Sequence, residues 1–491
     1  MIDKLICNNK SRLSALDWLV VLYLTLPLLI FCFWFKFPYV FAFLIMAIFG
    51  LYKNLQNTDA CRFDVSGPML CFSFFAAGLW VSIAGVGHFF YANADWLTRD
   101  AVLRDLASTE WPPRYVSDGP YALILRAPVA YYLPAALVGK VLGLGFADFF
   151  LYLWTVVGFG LFLSAAVTLF PLGKQRWVAI LVLVGFGGMD LIGYVGVNGA
   201  LPRLGQHLEW WANFAQYSSN STLLFWVPNH ALPSWLGVVL VLRHWRSAEL
   251  SKLAPVLAAT IPLWSPLAAV GLAPFIMMGV NWRRDYRNLI SIQSSLPWLG
   301  LALIVARYIT LDAQGIPSRW AFYDFVGIID FLKSYFIFVG VEFGLLVFVL
   351  FRMKAFDVQL WIAVMILLAL PLYRFGLAND FVMRSSIPAL TVVALATVRP
   401  LTSLNNRFWH GVLLAVMIIG AMGSAQEPLR AFLTPRWALK GLSLQEVMNH
   451  EYGGSIPPHY AARLNQPGLI QLMREPTLVR SSQQSPAGAL P

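Results

Sequence analysis

The densest run of chemistry-bearing residues lies between Tyr91 and Tyr115, where Asp95, Arg99, Asp100, Arg104, Asp105, Glu110 and Arg114 follow one another among aromatic residues. On a helix beginning near Asp95, Asp95 and Arg99 stand four apart on one face, and Asp100 and Arg104 repeat the pairing. A surface helix laced with ion pairs is the plain explanation. Against it, Asp95 follows a long apolar run and sits between Tyr91 and Trp96, where a purely structural acid is less expected. Asp95 and, second to it, Asp100 are therefore the candidate catalytic acids or bases, with Arg99 beside them.

Two later clusters could work with them. In the first, Arg374, Asn379, Asp380 and Arg384 crowd into a stretch between apolar runs, and Asp380 and Arg384 again stand four apart. In the second, Arg203, His207 and Glu209 precede Trp210 and Trp211, and Trp226 precedes Asn229 and His230. Aromatic rings stack on sugar faces, but they also populate membrane interfaces, and the second explanation is the commoner one. All of these are candidate substrate-binding residues.

Other features carry less. His207, Glu209 and His230 do not have the spacing of a zinc motif, so no metal ligands are assigned; a divalent metal held by carboxylates stays open. Gly185, Gly187 and Gly188 suit close helix packing better than phosphate binding. Asp190, inside an apolar run, is the more interesting acid. Cys7, Cys32, Cys61 and Cys71 have no paired spacing and suggest neither disulfide nor zinc.

The elements that position these residues are apolar. Of 491 residues, 59% are hydrophobic and 12% charged, too little charge to cover a water-facing surface, which excludes a soluble enzyme and a disordered chain. The expected fold class is an all-α polytopic membrane protein. Runs near 15–34, 38–53, 67–89, 147–171, 176–197, 229–243, 253–267, 268–281, 288–308, 332–351, 357–373, 385–398 and 408–424 give about 13 transmembrane helices (11–13). Lys4, Lys10 and Arg12 place the N-terminus in the cytoplasm, and Lys53, Arg62, Lys174, Arg176, Arg243, Arg283, Arg352, Lys354, Arg399 and Arg407 then share that side. The net charge of +11 is explained this way, without nucleic acid.

The chain divides into a transmembrane hairpin with a cytoplasmic loop (1–66), a transmembrane core with a large outer loop at 90–146 (67–424), and a small outer tail (425–491). An amphipathic outer-face helix is expected within 125–143, where Arg126 and Lys140 flank an apolar stretch. The tail, with Pro428, Pro435, Pro457 and Pro458, reads as an irregular appendage.

A span, an acid at its outer end, an amphipathic segment and then Pro128, Tyr131, Tyr132 and Leu133, followed by Lys140-Val-Leu-Gly143, resemble the GT-C superfamily of membrane glycosyltransferases. Two extra spans precede the acid, and Asp95 is followed by Trp96 where the family commonly has a paired Asp-Glu. The resemblance implies sugar transfer from a polyprenyl-phosphate donor to a glycan, lipid or protein acceptor on the non-cytoplasmic face. It implies Asp95 as the base that activates the acceptor hydroxyl, and arginines such as Arg384 as ligands of the departing phosphate.

Alternatives are a transporter or flippase of lipid-linked sugars, or an oligosaccharide polymerase or ligase. The partners expected are that donor, its acceptor and membrane lipid. The location expected is a bacterial inner membrane, multi-pass, with the C-terminus outside.

Overall fold

The computed structural model describes residues 13–481 apart from 57, 60–62, 118, 290, 377, 404–405, 452, 455 and 465–467. Lys4, Lys10, Arg12 and Arg62, on which the cytoplasmic N-terminus partly rested, lie outside the described residues.

The first helix, Ala15–Phe31, starts on a capping box: Asp17 N donates to Ser14 Oγ and Ser14 N donates back to Asp17 Oδ2. The same Asp17 accepts from Arg243 Nε at 2.6 Å, so one carboxylate caps a helix and ties it to the end of the distant helix Pro228–Arg243. Aromatic stacking continues the attachment inward. Tyr23 lies 4.0 Å from the Trp154 ring and 5.4 Å from that of Trp264, joining the helices Ala15–Phe31, Leu144–Val167 and Ala248–Trp264.

Among the described residues, five helical segments are long and apolar enough to cross a membrane: Ala15–Trp34, Leu144–Val167, Lys174–Asn198, Ile328–Arg352 and Arg407–Leu433. The protein is multi-pass. The expectation of about 13 spans is overturned, and with it the all-α fold class. Other apolar runs fold into shorter helices, among them Gly67–Ile83, Pro266–Gly279, Leu296–Ile309 and Ile387–Thr402, below the ~20 residues a span requires. Ser265 caps a new helix where runs 253–267 and 268–281 meet, and the helix Pro228–Arg243 is buried along nearly its whole length. Hydropathy cannot separate a helix apolar because it crosses lipid from one apolar because it is enclosed by protein.

The chain also forms small sheets. One has four strands in the order Ala461–Arg463, Leu123–Leu125, Pro113–Tyr115, Thr477–Leu478. Arg114 pairs with Ile124 and with Leu478, and Ile124 with Ala462. The tail is thus woven into the 113–125 segment rather than appended to it. A second sheet pairs Ser318–Trp320 with Tyr373–Phe375, setting Arg319 opposite Arg374. It fixes the turn that leads into the short helix Asp380–Ser385.

Candidate functional site

The helix Asp95–Ser108 is the hub. Its start is pinned from outside. Asn93 Oδ1 accepts from Asp95 N, while Asn93 Nδ2 and Trp96 Nε1 both donate to the carbonyl of Phe225 at 2.8 and 2.9 Å. From Trp96 to Ala107 almost every residue is buried, including Arg99, Asp100, Arg104 and Asp105. A solvated ion-pair helix would not look like this. Charges buried so deeply need partners, and each takes a different one.

On one face, Arg99 Nη2 donates to Asp95 Oδ2 at 3.1 Å and Nη1 donates to Asn229 Oδ1 at 2.7 Å. Arg99 is buried, while the Asp95 side chain is 39% exposed and opens into a cavity of about 370 Å³. The cavity wall also carries His207, Gln216, Thr222, Arg374, Asn379 and Arg384, so Asp95 shares one space with residues from the 203–230 and 374–384 clusters.

Asn379 adopts a left-handed φ of 57° and donates from Nδ2 to the Phe214 carbonyl, which leaves its Oδ1 buried with no donor. Arg384 donates from Nη2 to Asp380 Oδ1 at 3.2 Å, and its Nε has no acceptor. Arg374 Nη1 donates to Asp324 Oδ2 at 2.9 Å. His207 Nδ1 lies 2.8 Å from Glu427 Oε1, and Nε2 is unmatched. Burial disfavours the His207 imidazolium, but its hydrogen bond to Glu427 and the charges of Glu209 and Glu427 outweigh it, raising the pKa above its ordinary value.

About 140° round the helix, five residues on from Asp95, Asp100 turns the other way. It does not pair with Arg104; His88 Nε2 lies 3.0 Å from its Oδ2, and Asp148 completes a buried trio. One ligand-capable atom from each of these three residues lies within 4.8 Å of the others. Asp100 Oδ1 and Asp148 Oδ1 are both buried without a hydrogen-bond partner. One imidazole and two carboxylates make a donor set suited to a divalent cation such as Zn²⁺ or Mn²⁺, so the cluster is a candidate metal site.

His88 is aimed there by the turn before it. Gly85 has φ of 90°, and a Cβ at that position would stand 2.8 Å from Ala92 Cα. Burial again opposes the charged imidazole, but Asp100 outweighs it and raises the pKa of His88.

The third direction is structural. Arg104 Nη1 donates to Asp105 Oδ1, while Tyr115 Oη and the Leu444 backbone N–H donate to Asp105 Oδ2. Burial pushes the Asp105 pKa up to about 6 despite these partners.

The other expected residues lie apart from the cavity. Arg203 borders a separate hollow with Tyr194 and Leu204. His230 Nδ1 meets Ser265 Oγ at 2.7 Å. Glu209 is buried behind the cavity, accepting from Gln216 Nε2, Ser219 N and Thr222 Oγ1. Spacing missed His88 and Asp148, because a trio assembled from three segments has no local signature; the glycines at 85 and 87 were the only hint.

The glycosyltransferase resemblance is corrected by the architecture. Five long spans with interspersed sheets are not the many-span, all-helical scaffold that a polyprenyl-phosphate-dependent sugar transferase of that superfamily implies. The assignment of sugar transfer was built on that scaffold and is withdrawn with it, as are its alternatives, lipid-linked-sugar transport and glycan polymerisation. The metal trio is not specific to that chemistry. No family model, curated protein or solved structure matches this chain.

Proposed function

We propose that this membrane protein binds the phosphate-bearing headgroup of a membrane lipid in the cavity between Asp95 and Arg384. The observation that carries the reading is the set of unmatched polar atoms on the cavity-lining residues: Arg384 Nε and His207 Nε2, with Asn379 Oδ1 beside them. A buried donor without an acceptor costs about 1–3 kcal/mol, and a phosphate oxygen would remove that cost with a charge-assisted bond. Asp95 and Asn379 Oδ1 would accept from headgroup hydroxyl or ammonium protons. Placing Lys174, Arg176, Arg352, Lys354, Arg399 and Arg407 in the cytoplasm would open the cavity toward the opposite side.

The test reconstitutes the purified protein in nanodiscs of phosphatidylcholine with or without phosphatidic acid and counts retained lipid by native mass spectrometry. Phosphatidic acid should be retained selectively. Inorganic phosphate should displace it weakly, since it lacks the acyl chains. Equal retention of both lipids, or selective retention unchanged by Arg384→Ala, would sink the reading.

A further inference from the structure

Two of the spans, Lys174–Asn198 and Ile328–Arg352, carry a buried acid at an irregularity in the helix. The span Lys174–Asn198 breaks at Phe186–Met189, and the helix resumes at Asp190. The span Ile328–Arg352 carries a π-helical turn, Gly340–Gly344, with Glu342 inside it. Irregular backbone at membrane depth survives where protein groups satisfy it, and single π turns recur at functional positions. Here the satisfaction is visible. Asn220 N donates to the Phe186 carbonyl, Asn220 Nδ2 to Leu183 and Ser221 Oγ to Val184.

The two acids face each other within hydrogen-bonding reach. Asp190 is 1% and Glu342 5% exposed. Trp211 Nε1 donates to Glu342 Oε1 at 2.8 Å, but Glu342 Oε2 and the Asp190 oxygens meet no donor from a third residue among the described residues. Close backbone approach makes the room: a Cβ on Gly188 would collide with Glu342 Oε2, and one on Gly420 with the Gly187 carbonyl. Glu209, His207 and Tyr217 face the pair from the 199–219 segment, and the helix Arg407–Ser424 brings Gly423 beside Asp190 and Ser424 beside Gly187.

Two carboxyls this close in a low-dielectric interior do not both ionise, and oxygens without donors call for a proton or a cation. We propose that Asp190 and Glu342 share one proton as an intramembrane proton-binding site, linked to the cavity through Glu209. Glu209 accepts from Gln216 and Thr222, which line the cavity, so a proton arriving there in water has a carboxylate stepping stone to the pair. Nothing else is transferred: one proton is taken up and one released. This site stands whether or not the cavity binds a lipid.

Infrared spectroscopy of the reconstituted full chain tests it, at mildly alkaline pH above the range in which Asp105 titrates. A protonated-carboxyl stretch should be present, should shift on isotopic labelling of either the glutamate or the aspartate carboxyls, and should be lost in Glu342→Gln. The label shift is read on wild-type protein, so the test survives if that variant fails to fold. Absence of the band, a band that neither label moves, or one retained in folded Glu342→Gln would overturn the proposal. So would a band that appears only when Na⁺ is withheld, since the pair would then hold a monovalent cation instead.

Discussion

The two functional faces of the helix Asp95–Ser108 make opposite use of similar residues. On the cavity face, Asp95 and Arg99 pair within one helical turn and keep a carboxylate partly open to solvent. On the far face, Asp100 leaves its local partner and joins His88 and Asp148, from two other segments, in a buried trio. The first arrangement follows from helical spacing alone. The second exists only once the chain is folded. An acid's neighbours in sequence therefore say little about its partners when the whole helix is buried.

The largest effect should come from the residue that serves neither face. Asp105→Ala strips acceptors from Arg104, Tyr115 and the Leu444 backbone. Removing one member of a buried charged network costs about 3–5 kcal/mol, so thermal unfolding of this variant in detergent should shift further than that of Asp95→Ala. Similar shifts would mean that the cavity face also carries the scaffold.

Next comes the metal trio. Zn²⁺ or Mn²⁺ at a hundredfold excess over its Kd should stabilise the protein by about 2.7 kcal/mol. The effect should vanish in Asp100→Asn and survive in Asp95→Asn. If both variants keep the cation-dependent shift, the two faces do not differ in the way described.

Arg384→Ala should weaken retention of phosphatidic acid by roughly tenfold or more, given about 1.5–3 kcal/mol for a hydrogen bond to a charged group. It should leave the cation-dependent shift intact. Loss of both would show the faces to be coupled.

The smallest effect is a pH slope. Because Glu427 raises the folded-state pKa of His207, folding favours the protonated imidazole. That stability is fully present below the unfolded pKa near 6.5 and is lost as pH rises through the higher folded value. The unfolding temperature should fall across that window in wild-type protein and fall less in His207→Gln. An identical slope in both would remove His207 from the account.

The legible part of this protein was what local spacing controls. The Asp95–Arg99 and Asp380–Arg384 pairs can be read from a four-residue interval, and both form. Asp100–Arg104 had the same interval and did not, because burial made the distant His88 and the adjacent Asp105 better partners. Membrane character was legible from composition, but the number of spans was not: the run at 229–243 is apolar because protein encloses it. The strands at 113–115, 123–125, 461–463 and 477–478 are two or three residues long, too short for a period to register.

The four-stranded sheet also sets a clock. Its inner strands and the helix that presents Asp95 and Asp100 leave the ribosome early, yet their partners at 461–463 and 477–478 come more than 300 residues later. Asp105 likewise waits for the Leu444 amide. Through most of synthesis, this helix must stand with Asp105 short of one of its donors and with a sheet edge open. Such exposed edges invite wrong pairing. A nascent chain arrested before residue 461 should therefore be inserted but unfinished, more open to protease between 113 and 125 than the released protein.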